Sequence, residues 1–198
     1  ERVAKFRMKG VYENIGKTDS LSVTFNLLAK DENIWDLYGT RTRVQMQKAC
    51  PFELSTFEGY CLLTSSFFSA YMTNTEHRLL QAERDKAEDN TIILHDFFYK
   101  NYDLKIKYDP SDPLKPFVEF DEQIIGSTAE AFGTIYGNGK LMCDQPVAYD
   151  SYYNVCQKFV ILYTTIYVVG KGTVGTYVNI LEWISDEEAE QYKKEEGL

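Results

Sequence analysis

The sequence predicts a mainly β protein, an antiparallel barrel or sandwich that ends in one helix. About nine segments show strand signals, and most are joined by short turns. Tyrosine and phenylalanine, which suit pleated and half-buried surfaces, supply 15 and 12 of the 198 residues. Residues 124–141 place four glycines between β-branched and aromatic residues. That pattern is typical of a strand, a tight bend and a second strand at the corner of a closed sheet.

Strand signals begin near the N-terminus. Residues 3–12 and 21–28 predict a hairpin, because turn-forming residues separate them and the second segment alternates cleanly between apolar and polar positions. Residues 29–50 predict a loop followed by an edge-like strand with a solvated face. Residues 57–71 carry aromatic side chains at both parities, so we expect one strand that is buried on both sides.

The central region contains one ambiguous segment. Residues 72–90 fit either a polar helix or a hairpin, and the alternation before the turn residues favours the hairpin. Strands are predicted over 91–99 and 102–108. Residues 109–116 hold three of the five prolines and must form a loop, after which strand pairing resumes at Phe117.

The last third of the chain contains the longest strand candidate, residues 155–169, which is apolar at both parities. One face of such a strand meets the core, and the other meets a helix, a partner subunit or a ligand. A tyrosine-rich loop over 144–154 precedes it, and a final strand over 177–183 follows it.

A capping box marks the C-terminal helix. Ser185 is followed three residues later by Glu188, which predicts a helix from Asp186 to Glu196. This helix has hardly any apolar face, so we expect it on the surface or reaching toward a partner. No linker separates two domains, and we expect one barrel domain over 1–184 with a helical extension over 185–198.

The overall charge argues against one class of partner. The formal net charge is -9 and there is no cluster of lysine or arginine, whereas binding to nucleic acid needs a basic face. The longest apolar run, residues 159–170, is interrupted by threonines and is shorter than a membrane span of about 20 residues. We therefore expect neither a nucleic-acid partner nor a transmembrane segment.

The sequence leaves open whether the four cysteines are free thiols or form disulfides. They form no C-x-x-C pair, and His77 and His95 are the two histidines available as further ligands, so we expect no metal site. Two disulfides and four buried free thiols both fit the count. The turns that contain G-N-G-K and G-K-G-T lack the spacing of a phosphate loop, and no cofactor is expected. The cysteines stand at Cys50, Cys61, Cys143 and Cys156.

Five short motifs follow one another in the order found in a known superfamily. They are V-Y-E-N at 11–14, G-Y-C-L-L-T at 59–64, D-F-F-Y at 96–99, the glycine-rich stretch at 124–141 and F-V-I-L-Y-T-T-I-Y-V at 159–168. Their succession resembles the allene oxide cyclase and dirigent barrel superfamily. The resemblance implies an eight-stranded, lipocalin-like antiparallel barrel around an apolar cavity, often assembled as a trimer.

The same resemblance supplies a catalytic candidate. Glu13 matches the catalytic glutamate of the cyclase, and Cys61 matches a cysteine that lines its pocket. The cyclase has an asparagine two residues after its glutamate, whereas here Asn14 follows directly and Ile15 takes that place, which reverses the facing in a strand. Glu13 would point inward if Gly10 formed a bulge. The fold is retained through such changes more readily than the activity.

Two non-enzymatic functions are predicted first. One is a barrel that binds a small apolar ligand, such as an oxidised lipid, a phenolic or a pigment. The other is a structural accessory subunit that docks on a larger organellar membrane complex, because exposed tyrosines are typical of interfaces. The ligand would be lined by Phe25, Tyr60, Cys61, Phe97, Tyr99, Phe132, Tyr136 and Tyr163, and the protein interface would contain Tyr149, Tyr152 and Tyr153.

A cyclase-type isomerase that uses Glu13 is the third hypothesis. The chain opens at Glu1 without a methionine or a signal peptide, which fits a processed precursor or a trimmed one. We expect an organelle lumen, such as that of a plastid, or secretion. A homo-oligomer and a subunit of a larger complex both fit the expected interface.

Overall fold

A computed structural model describes residues 20–26, 41–47, 50–72, 75–113 and 115–197. The chain divides into two units, Glu1–Cys50 and Pro51–Leu198. In the first unit, strand β1 (Ser20–Asn26) pairs antiparallel with β2 (Arg41–Gln47). The strand predicted over 21–28 is confirmed over its described residues, 21–26, and its partner is the edge-like strand from the following segment. The strand predicted over 3–12 lies outside the described residues.

The second unit forms a closed barrel. Its strands are β3 (Gly59–Ser65), β4 (Arg78–Arg84), β5 (Thr91–Leu94), β6 (Leu104–Tyr108), β7 (Phe117–Glu119), β8 (Gln123–Ser127), β9 (Lys140–Asp144), β10 (Ser151–Asn154), β11 (Phe159–Val168) and β12 (Gly172–Ile184). Eight of them are hydrogen-bonded in the order β10-β7-β6-β5-β4-β3-β12-β11, and β10 also pairs with β11 to close the ring. Two further strands, β9 and β8, extend from β11. The prediction of a mainly β, eight-stranded antiparallel barrel is confirmed.

All eight barrel strands lie between Gly59 and Ile184, whereas the sequence predicts a barrel domain over 1–184. The favoured hairpin within 72–90 is confirmed as the β4–β5 hairpin. Its turn is held by Asp85, whose backbone N–H donates to the carbonyl of Thr91 at 2.9 Å and whose carboxylate accepts from the N–H of Ala87 at 2.8 Å.

Side chains alternate between the interior and the outside of the barrel wall. On β6, Leu104, Ile106 and Tyr108 are buried while the two intervening lysines are exposed. On β11, every second residue from Val160 to Val168 is buried. This period of two is the pattern of a barrel whose strands each turn one face to a common core.

Strand β11 is long enough to pair with two neighbouring strands along one edge. Its first residues pair with β10, from Phe159 to Ile161, and its later residues pair with β9, from Thr165 to Tyr167. The other edge pairs with β12 along nearly its whole length. The β8–β9 hairpin therefore covers the part of β11 that β10 does not reach.

The prediction of one strand over 57–71 was wrong in its second half. The strand ends at Ser65, and helix α1 (Ser66–Tyr71) follows. The Ser65 hydroxyl accepts a hydrogen bond from the backbone N–H of Phe67 at 3.1 Å, which caps the helix. Aromatic residues at both parities are compatible with either element, and here the turn into a helix buries both Phe67 and Phe68.

The glycine-rich stretch forms two strands with a short helix at the bend. Helix α2 (Thr128–Phe132) lies between β8 and β9 and is capped reciprocally by Ser127 and Glu130. Gly126 leaves room for the ring of Tyr99, because a Cβ atom at position 126 would lie 2.5 Å from that ring. The predicted loop over 144–154 was wrong at its end, since Ser151–Asn154 forms the strand that closes the barrel.

The C-terminal helix α3 (Asp186–Glu196) is confirmed with its predicted capping box. It packs on the outer side of β3. The Lys193 ammonium lies 4.3 Å above the ring of Tyr60 and donates to the Tyr60 hydroxyl at 3.1 Å. The Tyr192 hydroxyl donates to the carbonyl of His77 at 3.3 Å.

Candidate protein-binding surface

The interior of the barrel is filled by its own side chains. Aliphatic residues from the strands form its middle, and aromatic clusters lie at the two ends of β3. In one cluster the Phe57 ring lies 4.6 Å from Tyr108 and 5.1 Å from Trp183, between ring centroids. In the other, Phe67 stacks on Phe98 at 4.7 Å. Among the aliphatic residues that are fully buried are Leu63, Ile92, Leu94, Leu104, Ile106, Val118, Val160, Leu162, Ile166 and Leu181.

The residues predicted to line a ligand do not share one lining. Cys61 and Phe97 are buried in the core, as is Tyr99 against Gly126. Phe132 is partly buried against Tyr71, with ring centroids 5.5 Å apart.

The other predicted lining residues lie elsewhere. Tyr60 lies on the outer side under α3, Tyr163 lies on the outer side of β11, and Tyr136 is 48 % exposed in the loop before β9. Phe25 lies on β1 opposite Thr42. The catalytic candidate Glu13 lies outside the described residues.

The three predicted interface tyrosines divide between two environments. Tyr149 is 53 % exposed and Tyr152 is 39 % exposed, whereas Tyr153 is 5 % exposed. Tyr152 and Tyr153 are neighbours on β10, so their side chains point to opposite sides of the barrel wall. The Tyr153 ring packs against Tyr108 at 5.2 Å, and its hydroxyl donates to the carbonyl of Asp109 at 3.2 Å. Burial raises the pKa of Tyr153.

Tyr149 and Tyr152 belong to a continuous aromatic surface, which we call the outer tyrosine face. It consists of Tyr149, Tyr152, Phe159, Ile161 and Tyr163. The rings of Tyr149 and Tyr163 stack with centroids 5.1 Å apart, and those of Tyr152 and Phe159 meet edge to face at 6.3 Å. Tyr152 lies directly opposite Ile161 in the β10–β11 register.

The neighbouring strand extends this face. In the β11–β12 register, Tyr163 lies opposite Val178 and Ile161 lies opposite Ile180. Residues directly opposite each other in an antiparallel pair project on the same side of the sheet. The two β12 side chains therefore widen the apolar area, and neither was predicted, because their position depends on a strand pairing that local sequence does not encode.

Acidic side chains surround the outer tyrosine face. Asp150 is adjacent to Tyr149 and exposed, and exposed Glu182 lies opposite Phe159 in the register. Asp144 lies opposite Thr165 further along β11. Lys158 is the cation that precedes Phe159. Among the described residues, the rim thus carries more negative than positive charge, in line with the net charge of -9 for the chain.

The described residues contain no cluster of metal-ligating side chains. Cys61 and Cys143 are free thiols in the core, and burial raises the pKa of both, to about 12 for Cys143. Cys50 and Cys156 are disulfide-bonded. Buried thiols with a raised pKa are poor nucleophiles, because the reactive form is the thiolate.

Three buried polar atoms make no hydrogen bond within the described part of the chain. They are the hydroxyls of Tyr99 and Tyr108 and the indole nitrogen of Trp183. Burial raises the pKa of Tyr99 to about 12 and that of Tyr108 as well. Both hydroxyls therefore stay protonated at neutral pH.

The geometry defines the second unit, Pro51–Leu198, as a closed antiparallel barrel that presents an aromatic outer face. Residues 37–195 match the family described as a domain of unknown function (DUF4984), and the chain belongs to that family. No curated protein and no solved structure matches the chain. The resemblance to the allene oxide cyclase and dirigent superfamily therefore stays a prediction. Within the described residues, no helix is long and apolar enough to span a bilayer.

Proposed function

We propose that this protein is a non-enzymatic binding module that docks on a protein partner through the outer tyrosine face. The observation that carries the proposal is the contrast between a barrel interior filled by buried side chains and an outer strand face that carries exposed, stacked tyrosines. A sheet face that only had to meet water would be polar at these positions.

The composition of the face fits a protein partner. Tyrosine is enriched at interfaces because its ring buries much area at a low cost in side-chain entropy, and its hydroxyl tolerates water at the rim. Tyr149 and Tyr163 already stack on each other, so their rings are partly ordered before binding. The acidic rim around Asp150 and Glu182 favours a partner whose contact surface is bordered by lysine or arginine.

The packing of the interior makes a ligand inside the barrel the weaker candidate. Such a molecule would have to displace fully buried side chains such as Leu162 and Phe57, and it would also have to replace their contacts. The outer face needs no such rearrangement.

Site-specific photo-crosslinking in the source cells tests the proposal. A benzophenone amino acid placed at position 149 or 152 should crosslink to one discrete protein. The matched control is position 136, where the native tyrosine has a similar exposed fraction but lies beside Lys171 at the far end of β11. Equal crosslinking from positions 136 and 149 would remove the support for this face.

The captured protein must then bind in purified form. We expect its affinity to fall as ionic strength rises, because salt screens the attraction between the acidic rim and a basic partner. The proposal is contradicted if Tyr149→Ala and Tyr163→Ala leave this affinity unchanged, whichever protein the crosslinking captures.

A further inference from the structure

Two loops meet beyond the end of β11. The first, residues 133–139, connects α2 to β9, and the second, residues 169–171, connects β11 to β12. The two loops pack closely, because a Cβ atom at Gly137 would lie 2.6 Å from the Val168 side chain and 2.9 Å from that of Lys171. They therefore present one joint surface to their surroundings.

Hydrogen bonds fix the backbone of both loops. The hydroxyl of Thr128, a fully buried residue, accepts from the backbone N–H of Tyr136 at 2.8 Å and donates to the Tyr136 carbonyl at 3.3 Å. The same carbonyl accepts from the N–H of Gly139 at 3.0 Å. In the second loop, the N–H of Lys171 donates to the carbonyl of Val168 at 3.0 Å. The side chains of both loops thus extend from a backbone of defined shape.

Three exposed apolar side chains stand on this joint surface, and we call them the apolar tip. They are Ile135, Tyr136 and Val169. Ile135 is 78 % exposed and Val169 is 50 % exposed, so their burial contributes little to folding. A single exposed apolar residue needs no explanation, whereas a group of them on two contacting loops is typical of an interaction site.

Two lysines flank the apolar tip. The Lys171 ammonium lies 5.4 Å from the centroid of the Tyr136 ring. The β9–β11 register, which pairs Met142 with Tyr167, brings Lys140 to the level of Val169. Residues 133–140 and 169–173 contain these two lysines and no aspartate or glutamate, whereas the whole chain has a net charge of -9. The surface of the two loops is therefore locally basic on an acidic chain.

The carboxylates that are nearest along the chain lie outside the two loops. Glu130 belongs to α2, where its carboxylate accepts from the N–H and the hydroxyl of Ser127 at 3.1 and 2.7 Å. Asp144 lies opposite Thr165 on β11, about 13 Å before Val169 at the usual rise of a strand. The positive charges of Lys140 and Lys171 are thus the ones that accompany the apolar side chains of the loops.

We propose that the apolar tip binds the surface of a lipid bilayer that contains anionic headgroups. Ile135 and Val169 would enter the boundary between headgroups and acyl chains, and Tyr136 would lie at headgroup depth, where tyrosine is enriched. The ammonium groups of Lys140 and Lys171 would meet lipid phosphates, which attract lysines near the membrane surface. This proposal does not depend on the outer tyrosine face.

The composition of the apolar tip favours lipid over protein. Valine is under-represented among the residues that dominate protein binding, and lysine is depleted from protein interfaces. The outer tyrosine face differs in both respects, since it has stacked rings and an acidic rim. Aliphatic side chains beside lysines are instead the combination found where a protein surface enters a bilayer interface.

Co-sedimentation of the full chain with lipid vesicles tests the proposal. The vesicles consist of phosphatidylcholine alone or contain about a third of phosphatidylglycerol. The chain should bind the anionic vesicles more strongly. Lys140→Gln combined with Lys171→Gln should lower the partition coefficient for anionic vesicles about 25-fold and should remove the preference for them, because each lysine contributes about fivefold. Ile135→Ser combined with Val169→Ser should lower it about tenfold.

Matched control variants are Val147→Ser and Lys107→Gln. Both residues are exposed, and Val147 lies beyond the other end of β9. Each control should bind vesicles as the wild type does, and so should Tyr149→Ala, which separates this test from that of the protein partner. Unchanged urea midpoints verify the fold of every variant.

Three results would overturn the proposal. The first is that the wild-type chain sediments with neither kind of vesicle. The second is that the control variants lose as much binding as the variants of the apolar tip. The third is that a benzophenone amino acid at position 135 crosslinks in the source cells to a discrete protein instead of to lipid.

Discussion

The two faces of β11 have different properties although they alternate along one strand. The inner face, which includes Val160, Leu162 and Ile166, is fully buried and belongs to the barrel core. The outer face includes Phe159, Ile161 and Tyr163, which are half-buried and meet Tyr149 and Tyr152. Both faces are apolar, yet core formation requires the inner one alone.

This difference separates stability from function. Removing an inner side chain leaves a cavity that the close-packed barrel cannot fill, so it should cost folding free energy. Removing an outer side chain takes away area that water already reaches, so it should cost little folding free energy and much binding free energy. The comparison therefore fails if both faces respond to substitution in the same way.

The largest effect is expected from matched isoleucine truncations on the two faces. Ile166→Ala should lower the unfolding free energy by about 2–5 kcal/mol, because Ile166 is fully buried. Ile161→Ala, five positions away on the same strand, should lower it by less than about 1.5 kcal/mol, because its side chain is half-buried. Urea unfolding monitored by circular dichroism measures both. Equal losses would show that the outer face is part of the core.

A close contact at the core should produce the next effect. Gly126→Ala places a Cβ atom 2.5 Å from the Tyr99 ring, so the ring or the strand must move. We expect a loss of about 1–3 kcal/mol in unfolding free energy. The cost should shrink in a Tyr99→Leu background, where the ring is absent. If the substitution costs the same in both backgrounds, the loss has another origin.

Removal of a tyrosine hydroxyl should also have different effects on stability in the core and on the outer face. The Tyr108 hydroxyl is buried and makes no hydrogen bond within the described residues. Tyr108→Phe should raise the unfolding free energy by about 1 kcal/mol, because it removes a desolvated polar group and keeps the ring against Phe57. Tyr152→Phe on the outer tyrosine face should leave the unfolding free energy unchanged. A loss of stability in Tyr108→Phe would mean that the hydroxyl has a partner.

The smallest effect on stability should come from the titration of Asp85. The hydrogen bonds from Lys105 and from the Ala87 N–H lower the pKa of Asp85 in the folded protein below its unfolded value of about 3.9. Its contribution to stability is therefore present above roughly pH 4 and is lost as the pH falls through the folded pKa. Asp85→Asn should be less stable than wild type at neutral pH, and the difference should shrink in acid. A difference that does not vary with pH would contradict this role.

The sequence predicted the elements whose signals are local. The capping box of Ser185 and Glu188 specifies α3 by contacts within one turn, and the alternation of β6 follows from burial of one face. The helix α1 was missed because aromatic residues at both parities fit a strand buried on both sides equally well. The Ser65 cap was the available local signal.

The outer tyrosine face was predictable only where its residues gave a local signal. Tyr149 and Tyr152 stood out as tyrosines in a polar segment. Tyr153 was assigned to the same interface because the segment was interpreted as a loop, whereas strand alternation turns it into the core. Val178 acquires its place beside Tyr163 through the pairing of β12 with β11, which no local pattern contains.

The central claim is that the outer tyrosine face binds a partner and contributes little to folding. The most direct measurement compares affinity and stability in one variant, Tyr149→Ala combined with Tyr163→Ala, with Tyr136→Ala as the control. We predict that the double variant binds the crosslinked partner at least about 30-fold more weakly, about 2 kcal/mol, while its unfolding free energy stays within about 1 kcal/mol of wild type. The control should match wild type in both. Unchanged affinity together with a large loss of stability in the double variant would contradict the claim.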